Sequence, residues 1–158
     1  MKGMEYIKQN DSRLNERIQK IGCFFISCAD VAQMKTGKAL TTLQIEETWK
    51  WAKEAKRIDA LENIVDSASI INRFLKILGD SGHFCEIGTF RDGKTEFYPA
   101  IKQKHRHIDA LIQKIAQGGK GKTHFRVVNN RGEVLEDPHT PPIKALGVYY
   151  SILYAYID

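Results

Sequence analysis

The chain has 158 residues, with 24 Lys and Arg against 19 Asp and Glu for a formal charge of +5, and 42% of its residues are hydrophobic. That is one domain's worth of chain with enough apolar material for a core, which excludes the disordered and low-complexity classes. No run approaches the roughly 20 apolar residues of a membrane span. Residues 1–20 are too polar for the apolar region of a secretory signal, so a single domain over 1–158 in the cytoplasm is expected.

The first half reads as helices. Cys23 to Met34 is dense in apolar and small residues and stops at Thr36-Gly37, as a buried helix with a glycine end does. Thr41 opens a second helix, with Gln44 three positions on in capping-box spacing and Ile45, Trp49 and Ala52 on one face. A third, Ser67 to Leu78, carries the stripe Ile70, Ile71, Phe74, Leu75 and Leu78 and closes at Gly79.

From His83 the period changes. Phe84 to Phe90 and Thr95 to Tyr98 flank Asp92-Gly93, a hairpin signal. Ile108, Leu111, Ile112 and Ile115 return to helical spacing. After them, His124 to Val128 and Glu133 to Glu136 form a second hairpin about Asn129 to Gly132, and Leu146 to Ile157 reads as a last strand. Helices followed by antiparallel strands make an α+β domain.

Three motifs carry weaker chemistry. The loop Ala116 to Thr123 (AQGGKGKT) fits a relaxed phosphate-binding pattern, but such a loop needs a strand before it and a helix after it, and the order expected here is the reverse. His83-x-Cys85, His105-x-His107 and His139 lack a third or fourth ligand at a metal-site spacing, so no metal and no cofactor is expected. The surplus charge gathers in Lys102, Lys104, Arg106, Lys114, Lys120, Lys122 and Arg126, which suits an anionic partner or simply a solvated face. A nucleic-acid role lacks both a helix-turn-helix and interleaved aromatic and basic residues.

The strongest constellation is Cys23, His124 and Asp137. The odd set Cys23, Cys28 and Cys85 fits neither a disulfide framework nor a zinc finger, so free thiols are expected. Cys23 follows Gly22 at a predicted helix start, where unpaired amides and the helix dipole favour an anion; a buried structural cysteine is the competing reading. A hairpin turn centred between Asn130 and Arg131 sets His124 directly opposite Asp137, and cross-strand partners share a face, as a carboxylate orienting an imidazole requires. A one-residue slip would separate them.

The segment HFRVVNNRGEVLEDPH and the upstream run GCFFISCADVAQMKTGKALTTLQI together resemble the His and Cys regions of papain-like cysteine peptidases, especially the bacteriocin-processing (double-glycine) peptidase-like group, over roughly residues 12–157. The expected helix 108–116 before the Gly-rich loop belongs to that match. The run Asn-Glu-Arg-Ile-Gln-Lys-x-Gly-Cys is also similar to a small uncharacterised family of spirochaete plasmids and prophages. The resemblance implies a papain-like domain, a helical half with Cys23 as nucleophile packed on a sheet with His124 as general base and Asp137 as orienting acid. The family's oxyanion-hole Gln six residues before the Cys is replaced by Arg17, which leaves Gln19 or Asn15 as side-chain donors, and Phe24-Phe25 stands where Gly-Pro-type residues are usual. The implied activity is hydrolysis of a peptide or amide bond without a cofactor, with a phage or bacterial peptidoglycan stem peptide as one substrate class. The alternative is an inactive papain-like binding module that holds an anionic partner on its basic face.

Overall fold

The computed structural model describes residues 5–118 and 121–158. Gly119 and Lys120 of the AQGGKGKT loop, and residues 1–4 of the N-terminal stretch, lie outside the described residues. Four helices come first, α1 (Glu16–Ile21), α2 (Cys23–Thr36), α3 (Thr42–Glu54) and α4 (Ser67–Ile77). The strands β1 (His83–Arg91), β2 (Lys94–Phe97), β3 (Ala110–Ala116), β4 (Thr123–Val128), β5 (Val134–Glu136) and β6 (Gly147–Ile157) follow. They form one antiparallel sheet in the order β2-β1-β6-β3-β4-β5. The α+β class expected from the sequence is the class observed. Among the described residues no helix is long and apolar enough to cross a membrane.

Helix α2 is the axis of the fold. Residues 25–33 are all buried, the state of a helix surrounded by protein, and Ser27, Asp30 and Gln33 are the polar residues among them. It packs against α4 and β4. Phe25 meets the edge of Trp49 from α3 at a centroid distance of 5.0 Å and the Phe74 ring of α4 at 5.4 Å. Gly37 ends α2 at φ 67°, a left-handed cap that glycine adopts without a Cβ clash. Thr41 and Gln44 form the reciprocal capping box at the head of α3, which fixes where α3 leaves the α2 turn.

Strand β3 corrects the helical reading of residues 108–116, both as a periodicity and as a part of the family resemblance. Leu111 and Ile112 are adjacent yet both buried, because the sheet is covered on two sides. Ile112 joins the core beneath the helices, whereas Leu111 joins a second core with Ile87, Val128 and Leu153, closed by Phe97, Ile101 and Ile108. A strand buried on both faces loses the polar alternation that marks a strand, and its apolar positions can then mimic a helical period. The AQGGKGKT loop thus has a strand before it as well as a strand after it, and no helix N-terminus stands there to cradle phosphate.

Helix α1 is short and has only Ile18 buried, so its sequence carries no apolar stripe. Its role is positional, since it delivers the chain to Gly22 and the start of α2.

Candidate active site

Cys23 is the first residue of the 14-residue helix α2, and Gly22 before it supplies no side-chain cap. The first-turn amides of such a helix have no intrahelical acceptor and point toward the N-terminal approach. Gly22 is needed there for space, because an added Cβ would strike the Ile18 carbonyl oxygen. Its own N–H donates to that carbonyl at 2.8 Å, so α1 and α2 meet with almost no intervening chain. Cys23 is half-buried, whereas Cys28, one turn further in, is fully buried with its thiol pushed up by desolvation.

His124, on β4, and Asp137, just beyond β5, are buried at 3% and 5% exposure, and His124 Nε2 stands 2.8 Å from Asp137 Oδ1. Asp137 is itself held in place: the His139 N–H donates to Oδ1 at 2.9 Å and the Ile143 N–H to Oδ2 at 3.1 Å. Burial alone would raise the Asp137 carboxyl, but the hydrogen bonds from His124 and the two amides hold it below the usual carboxylate range. Burial would likewise lower the His124 imidazole, but hydrogen bonds to Asp137 and to Cys23 outweigh it and push it up to about 9. The imidazole therefore lies between the carboxylate and the thiol. With Nε2 on Asp137, the nitrogen left for Cys23 is Nδ1. The structure thus brings together all three residues of the predicted constellation.

The register that does so is not the turn-centred one. Ladder β4–β5 pairs Val127 with Glu136 and Val128 with Val134, with an irregularity between them. Carried on in the same step beyond β5, the Val127–Glu136 register sets His124 across from His139, whose ring is 6.4 Å from that of His124. Asp137 is then the diagonal neighbour two positions away. The offset is even, so the side chains stay on one face and the contact survives.

The two expected side-chain donors are used elsewhere. Asn15 caps α1 by accepting from the Ile18 N–H at 3.0 Å, and its amide donates to Glu46 Oε2 at 2.8 Å. The Gln19 amide donates to the Leu14 carbonyl at 2.6 Å. Sequence reasoning passed over Gln9, which is 5% exposed and lies beside both halves of the site. Its backbone N–H donates to the Pro138 carbonyl at 2.6 Å, next to Asp137. Its side-chain amide donates at 3.2 Å to the Gln19 carbonyl, one helical turn before Cys23. The only cue in the sequence is a lone Gln in a polar run, which spacing cannot single out.

Behind Cys23, the same stripe of α2 carries Ser27 and Asp30, both buried. Among the described residues, Ser27 Oγ, Asp30 Oδ2 and Gln9 Oε1 have no hydrogen-bond partner. Burial, and then the nearby Glu136 carboxylate, push the Asp30 carboxyl well above its usual range. In front of Cys23 opens a cavity of about 310 Å³, with Phe24, Trp49, Ile64 and Phe125 among its walls and Arg17 and Lys20 at its rim.

The other candidates disperse. The His107 ring pairs with Asp109 at 2.7 Å, and the His139 ring faces the Pro141 carbonyl at 2.8 Å. The basic segment does not form one patch. Arg126 binds Gln113 at 2.9 Å, while Lys114, adjacent to Gln113 and so on the other face of β3, sits among aromatic rings. In comparisons with protein-family models, curated proteins and solved structures, nothing matches this chain.

Proposed function

We propose that this protein is a papain-like thiol hydrolase that cleaves a peptide or amide bond with Cys23 as nucleophile. The reading rests on one observation: a buried, carboxylate-anchored imidazole stands beside a cysteine at the N-terminus of a long helix. His124 holds a proton tightly, because Asp137 and Cys23 both raise its affinity for one, and it is the acceptor of the Cys23 proton when the sulfur attacks. The sulfur attacks the carbonyl carbon, and the oxyanion is met by the first amides of α2. His124 then gives its Nδ1 proton to the amine as the C–N bond breaks, leaving a thioester. The same nitrogen next takes a proton from water as the water oxygen bonds the thioester carbon, the S–C bond breaks to return its electron pair to the Cys23 sulfur, and the acid is released.

The test is alkylation of the native protein by iodoacetamide from pH 4 to 9, followed site by site by mass spectrometry. Cys23 is expected to react at least tenfold faster than Cys85 at pH 6, and His124→Ala to abolish the difference. Hydrolytic turnover should fall as pH rises through about 9, where His124 loses the proton it gives to the leaving amine. A Cys23 no faster than Cys85, or indifferent to His124→Ala, would sink the proposal.

A further inference from the structure

Lys114, Phe125 and Tyr150 are direct cross-strand neighbours, Lys114 facing Phe125 on β4 and Tyr150 on β6. The row continues at both ends. Phe24, next to Cys23, stacks on Phe125 with centroids 4.2 Å apart and planes 14° apart. Arg91, one step past the Phe90–Ser151 pair, lies with its guanidinium carbon 5.0 Å from the Tyr150 ring centre. Ring and cation therefore alternate across four neighbouring strands, in steps of about 4.8 Å, for roughly 15 Å from the thiol's neighbour outward.

Phe24, Phe125 and Tyr150 pack in part against the main core, and two features mark what they leave uncovered, with the cations between them, as a surface for a ligand. First, neither Lys114 nor Arg91 has an ion-pair partner among the described residues. The nearby acid on that side, Glu86, is occupied by the Tyr98 hydroxyl, which donates to it at 2.8 Å. Second, β6 departs from regular pairing at this point: Lys114 pairs with Tyr150 but Ile115 with Val148, so Tyr149 is the extra residue of a bulge. The bulge turns Tyr149 toward Lys114, giving an ammonium 5.7 to 5.8 Å from three ring centres. Tyr149 and Arg91 are exposed, and the other members of the row are half-buried.

We infer that this aromatic and cationic row is the substrate track of the site and that it takes an acidic peptide, whose carboxylates meet Lys114 and Arg91 while its apolar groups lie on the rings. The inference rests on the acyl-transfer reading of Cys23. That reading, with the row's continuity to the thiol through Phe24, favours a peptide over a nucleic-acid strand, which the same rings and cations would also attract.

The experiment measures how well peptides protect Cys23 from iodoacetamide, with Cys85 in the same molecule as reference. The probes are a Glu-Ala repeat decapeptide, a Lys-Ala repeat decapeptide and a ten-nucleotide thymidine strand. The acidic peptide is expected to protect Cys23 at about tenfold lower concentration than the basic one in dilute buffer, with the advantage shrinking as salt rises. Arg91→Gln and Lys114→Met should each reduce that advantage severalfold, with protection in each variant measured against its own alkylation rate in the absence of peptide. Equal protection by both peptides, better protection by the oligonucleotide, or an advantage untouched by both substitutions would overturn the track. Failure of the acyl-transfer reading appears separately, as a Cys23 rate that ignores His124→Ala when no peptide is present.

Discussion

Asp30 sits on the stripe of α2 that carries Cys23, and among the described residues nothing pairs with its Oδ2. Its carboxyl is raised in the folded state by burial and then by Glu136, so the folded protein holds a proton there that the unfolded chain releases. Stability from this group is therefore complete below about pH 4 and is lost progressively as pH rises. Asp30→Asn, which copies the neutral acid, is expected to raise the urea midpoint at pH 7 and to have no such effect at pH 3.5, as equilibrium unfolding at the two pH values would show. An unchanged midpoint at pH 7 would mean that the fold does not raise this carboxyl. At this scale the sequence exposes its reactive groups well. Cys23, His124 and Asp137 are legible because a glycine-flanked cysteine, a hairpin turn and strand parity are all local patterns. Gln9 is not, because what singles it out is contact with Pro138 and Gln19, both distant along the chain.

Among the elements, the junction of α1 and α2 matters most to where Cys23 stands. Gly22→Ala places a methyl group against the Ile18 carbonyl oxygen and the Ile18 side chain. The backbone must shift to admit it, and the first residue to move is Cys23. The substitution is expected to lower stability by about 1 to 3 kcal/mol, as overpacking does, and to slow Cys23 alkylation while Cys85 keeps its rate. Urea unfolding and mass spectrometry measure the two effects on one sample; a Cys23 rate equal to wild type would show that the junction does not hold the thiol. Helix limits are legible for α2, α3 and α4 because their ends are marked by Gly37, the Thr41–Gln44 box and the Asp66 cap, whose side chain accepts from the Ser69 N–H. Strand β3 is not, since covering both faces of the sheet erases the signal that separates a strand from a helix. The bulge at Tyr149 leaves no mark either: a run of Tyr and Val looks the same whether or not one residue is extra.

For the molecule as a whole, the decisive fact is the place of β6. It lies between β1 and β3, bonded to both over most of its 11 residues. The sequence shows the hairpins β1–β2 and β4–β5 because each is closed by a short turn. It cannot show that the strand latest in the chain enters the middle of the sheet, because that depends on which partners remain free after the local pairs form. Residues 151–155 of β6 are all buried, so their amides are expected to exchange with solvent only on global unfolding, more slowly than those of the β2 and β5 edges. Hydrogen exchange resolved by peptide would show this order, and fast exchange in 151–155 would contradict the sheet order. The same placement governs when the site can assemble. Until synthesis passes Ile157, the β1–β2 hairpin and the β3–β4–β5 meander are two separate fragments with no shared edge. His124 and Asp137 then have no settled position against Cys23, and a nascent chain on the ribosome carries all three side chains without the arrangement that brings them together.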